Sequence, residues 1–282
     1  MTPLRLPIAA ALSVLLLSGC VVPLKIPPIT PGTEAAPDIN WKRLAEFAEA
    51  AGNAYATVEE IEKTYGQKNV VVRDLPESEG RYFIYFNHKE KTQTLAVRGT
   101  ANKANALVDL DSIKVFDPRL NIFIHRGFLK AADALYIDAL PLLQPDYKTR
   151  LTGHSLGGAM ACLLMMALMN DGYPVDEVLT FGQPKVTNEQ GGREFSSAPL
   201  YRIVNDNDIV AQVPPSNVVY DLAGTYEHFG PEITLLADNK WSFSPVHIPQ
   251  DYVTNNNWKT LTAAHGTDHQ IKNYVERIKG LK

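Results

Sequence analysis

The sequence predicts an α/β fold with a mostly parallel central sheet and helices on both faces, and three observations carry that prediction. From residue 40 onward, short apolar runs of strand length alternate with segments of helical period, the pattern left by crossover connections between parallel strands. Near the middle, Lys148-Thr149-Arg150-Leu151 leads into Thr152-Gly153-His154-Ser155-Leu156-Gly157-Gly158-Ala159 and then into the helix-forming apolar run 160–169. A strand, a tight turn and a helix thus follow one another around a Gly-x-Ser-x-Gly sequence, the setting of a nucleophile elbow. The composition, 45% hydrophobic and 21% charged over 282 residues, is enough for one large core.

Residues 1–19 are expected to lie outside the fold. Arg5 gives a weak positive start, 8–17 an apolar stretch too short to span a bilayer, and Leu17-Ser18-Gly19-Cys20 a small-residue processing site. Leu-Ser-Gly-Cys resembles a bacterial lipoprotein signal, which implies cleavage before Cys20 and acylation of its thiol and amine. Residues 20–39 carry Pro23, Pro27, Pro28, Pro31 and Pro37 with Gly32. They read as an extended tether from acylated Cys20, at roughly 3 Å per residue. Residues 40–282 are expected to form a single domain.

Within that domain Asn40 is placed to cap a helix in which Leu44, Phe47, Ala48, Ala51, Tyr55 and Val58 share a face. Strands are predicted at 70–72, 81–87 and 92–98, the last two joined by the polar turn 88–91, with a short one at 122–125. A helix is expected over 128–143, buried strands over 177–181 and 201–204, and a last helix whose apolar face is Ile271, Tyr274, Val275 and Ile278, with Thr267 or Asp268 as its cap. The stretch 221–262, rich in Asn, Pro and aromatics, gives no clear element.

A net charge of −4 without a Lys/Arg cluster gives no sign of nucleic-acid binding, and no nucleic-acid partner is expected. The two cysteines, Cys20 and Cys162, allow no disulfide framework; Cys162 falls in the apolar helix and reads as a small buried hydrophobe. His265-x-x-x-His269 has a metal-like spacing, but no glutamate lies between and Gly266 disfavours a helix there, so neither metal nor cofactor is expected.

If Ser155 is a nucleophile, it needs a base to take its proton and a carboxylate to orient that base. The strand ending at Val204 delivers Asn205-Asp206-Asn207-Asp208 to the sheet's C-terminal edge, where ligands gather in such folds. Asp208 is preferred to Asp206 because Ile209-Val210 would hold its carboxylate out of water. Of the four later histidines, His269 stands on the loop feeding the last helix; His265 is the alternative, while His228 and His247 read as surface residues. An oxyanion hole is expected from the N–H of Leu156 and from Thr100, at the end of the strand that runs into Arg98-Gly99-Thr100.

Taken together these motifs resemble the class 3 lipases, the α/β-hydrolase group that includes the filamentous-fungal triacylglycerol lipases. Ala96-Val97-Arg98-Gly99-Thr100 resembles their oxyanion strand, Ile124-His125-Arg126-Gly127-Phe128 the entry to the helix before the elbow, and Thr180-Phe181-Gly182-Gln183-Pro184-Lys185-Val186 the strand after it. Residues 202–210 with Val213-Pro214-Pro215 resemble the acid loop, which implies Asp208 as the acid. A histidine followed five positions later by tyrosine fits His269 with Tyr274, and not His265 with Gln270. Thr187 stands where the family often has glycine, and Ala211 where proline is common. Residues 102–110, in the position of a lid, hold no Trp and predict weak interfacial activation.

The resemblance implies a serine carboxylester hydrolase acting on lipid or glyceride esters through Ser155, Asp208 and His269. Phospholipase A1 action, cleavage of soluble esters, and a lipid-binding lipoprotein on an inactive hydrolase fold are the alternatives. The expected setting is the bacterial cell envelope, the outer membrane above all, with a monomer tethered through its lipid anchor.

Overall fold

The centre of the molecule is a sheet whose strands follow one another along the chain only in part. The computed structural model describes residues 37–75, 80–99, 112–215, 223–246 and 267–281. Residues 1–36, with Cys20 and most of the tether, lie outside the described residues, as do Thr100, the lid-like stretch 101–111, His247 and His265. Glu34–Lys282 cluster as one compact unit.

The described elements are α1 (Trp41–Asn53), α2 (Val58–Tyr65), β1 (Val70–Leu75), β2 (Gly80–Asn87), β3 (Thr92–Val97), β4 (Lys114–Asp117), β5 (Ile122–His125), α3 (Arg126–Ala139), β6 (Lys148–His154), α4 (Leu156–Asn170), β7 (Val175–Phe181), β8 (Thr187–Asn188), α5 (Glu189–Glu194), β9 (Leu200–Asn205), β10 (Tyr226–Glu227), β11 (Glu232–Leu235), β12 (Trp241–Ser244) and α6 (Ile271–Gly280). The main sheet runs β1-β2-β3-β6-β7-β9-β11-β12. Its five middle strands, β3 to β11 in that order, are parallel. Antiparallel strands close both edges. Strands β10, β8, β5 and β4 form a smaller sheet.

Alternation along each strand assigns side chains to the two faces. Leu95, Val97, Leu151 and Val178 join one core with α3 and α4. Leu179, Phe181, Ile203 and Ile233 join the other with α1 and α6. Helix α4 is apolar on every side and almost wholly buried, as a helix covered by both sheet and neighbouring helix must be. Between β9 and β11 the paired residues Arg202 and Glu232 form a buried ion pair at 3.0 Å. The Arg202 guanidinium also donates to the carbonyls of Phe229 and Gly230. Removing either partner from such a pair leaves an uncompensated charge and costs about 3–5 kcal/mol, so the pairing pins the strand that feeds the acid loop.

The structure departs from the sequence expectation in four places. The first helix does not run to Val58. It stops at Asn53, and Thr57 starts a second helix with a reciprocal cap, accepting from Glu60 N–H while the Glu60 carboxylate accepts from Thr57 N–H. Strand β4 was not read from sequence; it exists by pairing antiparallel with β5. Part of the unassigned 221–262 stretch forms β10, β11 and β12, of which β11 is recruited by parallel pairing to β9. The cap position of α6 is Gln270, which makes no side-chain cap; Thr267 and Asp268 belong to the preceding turn.

Candidate active site

Strand β6 ends at His154, and Ser155 turns the chain straight into α4. Ser155 has φ 60° and ψ −130°, a left-handed conformation that costs of order 1–3 kcal/mol in a non-glycine residue. Its N–H donates to Phe181 O at 2.9 Å, and its carbonyl accepts from Gly158 and Ala159 N–H. The turn lies hard against the end of β3. A Cβ on Gly157 would strike the Val97 carbonyl oxygen and stand 2.8 Å from Arg98 C and 2.9 Å from Gly99 N. Only a residue without Cβ permits that approach. Leu156 is the first helical residue, so its N–H has no intrahelical acceptor and lies at the positive end of the α4 dipole. That places one predicted oxyanion donor beside the end of β3; the other, Thr100, lies outside the described residues.

Asp208 starts the 3₁₀ turn Ile209–Gln212 at the end of β9. Its carboxylate is fully buried. One oxygen accepts from Val210 N–H at 2.9 Å; the other accepts from His269 Nδ1–H at 2.8 Å and from the Tyr274 hydroxyl. Burial pushes the carboxyl's pKa up, but the His269 imidazole, the Tyr274 hydroxyl and the Val210 N–H outweigh it and hold the group below the usual carboxylate range. Burial and the same carboxylate push the Tyr274 hydroxyl far above its ordinary value, so it stays a donor. Asp206, the weaker sequence candidate, is half-buried and pairs with Arg277 at 3.5 Å.

His269 is buried on the turn before α6. Because a carboxylate only accepts, Nδ1 carries a proton, and in the neutral ring Nε2 is left with a bare lone pair. That Nε2 is itself buried and has no hydrogen-bond partner among the described residues. Its ring lies 4.5 Å from that of His154, the residue before Ser155. Ser155 makes no hydrogen bond to this nitrogen, a contact that in such sites is commonly long until substrate binds. The ends of β6 and β9 and the turn before α6 therefore gather Ser155, Asp208 and His269 at one edge of the sheet.

Glycine at 182 makes the gathering possible. Its φ is +57°, and a Cβ there would stand 2.6 Å from Asp208 Oδ2, 2.9 Å from His269 Nδ1 and 2.9 Å from the Tyr274 oxygen. Three groups that sequence reasoning did not assign also support the site. Tyr274 showed as part of an apolar helix face and as the tyrosine spaced five positions after His269, with no sign that its hydroxyl meets Asp208. His228 is a correction: it is buried, not at the surface, because its Nε2 donates to Ala211 O at 2.8 Å. Lys185 is buried and donates through Nζ to Gln212 O at 3.1 Å, while its N–H donates to Val213 O. The carbonyls of the acid loop are thus gripped from the segment between β7 and β8 and from the approach to β11. Cys162 is buried within α4, and burial raises its thiol to about 12, so it is no second nucleophile.

Burial lowers the Lys185 amine from 10.5 to about 8. Between those values the unfolded chain binds a proton that the fold does not, so this group's contribution to stability rises with pH there, by up to about 1.4 kcal/mol per unit. Urea unfolding followed from pH 8 to 10.5 should show that rise in the wild type and a flatter curve in Lys185→Met. Parallel curves would contradict the shift.

Residues 94–218 match the family model for lipase, class 3. A lipase of Rhizopus niveus is 32% identical over 148 residues, covering 48% of this chain and 38% of the relative. The secreted mono- and diacylglycerol lipase 1 of Fusarium solani is 30% identical over 168 residues, 54% of this chain and 46% of the relative. The chain thus spans less than half the length of these curated relatives. Among solved structures, lipase II from Rhizopus niveus superposes with a TM-score of 0.68 at 24% identity, covering 83% of this chain and 94% of that one. Residues 94–218 are thus similar to the class 3 lipases, and the chain has the α/β-hydrolase fold of the solved fungal lipase.

Proposed function

We propose that this protein is a serine carboxylester hydrolase that cleaves lipid or glyceride esters through an acyl-enzyme. The observation that carries the reading is the buried, unpartnered His269 Nε2, its Nδ1–H held by the Asp208 carboxylate, next to the elbow that presents Ser155. In the first half-reaction Nε2 takes the Ser155 hydroxyl proton as Oγ bonds to the ester carbonyl carbon. The N–H groups of Leu156 and Thr100 receive the negative charge that develops on the carbonyl oxygen. Collapse of this adduct breaks the bond to the alkoxy group, which leaves with the proton from Nε2. Water, deprotonated by the same nitrogen, then attacks the acyl-Ser155 ester, and the acid departs as Ser155 regains its proton. Asp208 stabilises the imidazolium formed in each half. Glyceride substrates are favoured by the likeness to mono-, di- and triacylglycerol lipases.

Ser155→Ala should lower kcat for a nitrophenyl ester by about 10⁴-fold or more, and wild-type protein should take up a fluorophosphonate on Ser155. Folded wild-type protein that forms no adduct would instead mark a lipid-binding role on an inactive fold. A sharp preference for acetyl over long acyl groups in initial rates would remove lipid esters as the substrate class.

Gly182→Ala, which pushes a methyl group into the Asp208–His269–Tyr274 contact, should cost about 100-fold in kcat/KM, as displacements near 1 Å in such constellations do. Steady-state kinetics on protein with native circular dichroism checks this; wild-type activity would mean the acid and base are not held as described.

The N-terminal pattern supports a periplasmic or surface location, with acylated Cys20 and a proline-rich tether joining the catalytic domain to the envelope, the outer membrane above all. Cys20→Ser should move the protein from the membrane to the soluble fraction of a bacterial host, and continued membrane sedimentation would remove acylation as the anchor.

A further inference from the structure

The turn that carries His269 has its three carbonyls held by side chains from elsewhere. Asn273 Nδ2 donates to Thr267 O at 2.6 Å, Asn205 Nδ2 to Asp268 O at 2.7 Å, and His154 Nε2 to His269 O at 2.6 Å. The last is the unusual one, because its donor belongs to the elbow, immediately before Ser155. A carbonyl only accepts, so His154 carries its proton on Nε2 and its Nδ1 is an acceptor. The Tyr55 hydroxyl stands 3.0 Å from that Nδ1 and fills the role of donor. The Tyr55 oxygen in turn takes a hydrogen bond from the Gly99 backbone, at the end of β3 and one residue before Thr100. Every donor and acceptor in the sequence Gly99, Tyr55, His154, His269 has one consistent direction.

We infer that His154 and Tyr55 are positioning residues, which fix the base turn relative to both the elbow and the oxyanion strand through this hydrogen-bonded chain. The inference rests on the reading of Ser155, Asp208 and His269 as a hydrolytic triad. Neither residue meets the reacting atoms. The His154 ring is fully buried, edge-on to Tyr55 and Tyr274 and tilted against His269. It therefore fixes the height of the base above the serine, and Tyr55 fixes the His154 tautomer. Without the Tyr55 donor at Nδ1 the ring is free to turn over and withdraw the Nε2 proton from the His269 carbonyl.

Three variants separate positioning from simple support. Tyr55→Phe removes one hydroxyl and keeps the ring. His154→Asn removes the donor to His269 O, and His154→Gln returns an amide nitrogen near the place of Nε2. Kinetics with a nitrophenyl ester are measured together with the downfield NMR signal of the His269 Nδ1 proton shared with Asp208. Tyr55→Phe and His154→Asn should each lower kcat by roughly three- to tenfold, the worth of one neutral hydrogen bond. KM should change by less than about twofold, as for an interaction felt only in the transition state. The shared-proton signal should shift in both, and His154→Gln should restore most of kcat and of the signal. Unchanged kcat and proton position in folded Tyr55→Phe and His154→Asn overturn the inference. So does a loss of kcat that leaves the proton unmoved and that His154→Gln does not repair. Wild-type protein without turnover would count against the triad reading instead, and the proton signal of the same variants would still judge the chain of hydrogen bonds.

Discussion

The structure depends on one interaction, the 2.8 Å hydrogen bond from His269 Nδ1 to a carboxylate with no exposed surface. An ionised carboxylate in such a place is unstable unless its lone pairs are met by donors. Asp208 meets them with a backbone N–H from its own 3₁₀ turn, an imidazole N–H from the turn before α6, and a hydroxyl from α6 itself. Two of these donors come from segments more than 60 residues away in sequence, with separations of 61 for His269 and 66 for Tyr274. Only a fold that brings the end of β9 under the last helix can supply them together. The polar demand of one buried group thus sets where α6 must dock.

The elbow places a second requirement on the same edge. Ser155 is held in a left-handed conformation that the isolated chain would not favour. It is over-determined from both sides, by the Phe181 carbonyl on β7 and by α4, whose apolar surface is sealed between sheet and helix α3. Burial of Met160, Leu163, Leu164, Met165, Met166 and Leu168, each worth about 1.5–3 kcal/mol on transfer, far exceeds the local strain. The helix that orients the nucleophile is also the helix that anchors one face of the core, so the strained residue cannot relax without giving up packing.

What could be read from sequence divides along the same physical lines. Ser155 was legible because the constraint on it is local: glycines at set distances, a strand before and an apolar helix after. Asp208 was separable from Asp206 because apolar Ile209-Val210 follow it, and these are buried. Tyr274 and His228 were not legible in their roles. Periodicity shows which face of an element turns inward, but not which polar atom waits there. A tyrosine on an apolar stripe looks like core until Asp208 is seen across from it. Strands β11 and β12 failed for a related reason: four residues each, they are stabilised by their neighbours β9 and each other rather than by their own alternation. The split of α1 from α2 was written in Thr57 and Glu60, yet the continued apolar spacing through Tyr55 and Val58 masked it.

The three-residue base turn exposes a wider consequence of building a site at the edge of a sheet. Such a turn makes few hydrogen bonds of its own: within its span only Gln270 N–H closes back on Thr267 O. Its other carbonyls would be left to water, and water fixes no position. Donors from Asn205 on β9 and His154 on β6 replace that solvent, and Asn273 on α6 adds a second hydrogen bond to Thr267 O. Each donor sits on a regular element, so the turn inherits the rigidity of the sheet and helix without being part of either. A general base needs that arrangement, because its lone pair must be aimed within a few tenths of an ångström yet remain free of any partner until a hydroxyl is presented. The loop is accordingly fixed through its backbone, and the imidazole through Nδ1, while Nε2 has no hydrogen-bond partner among the described residues.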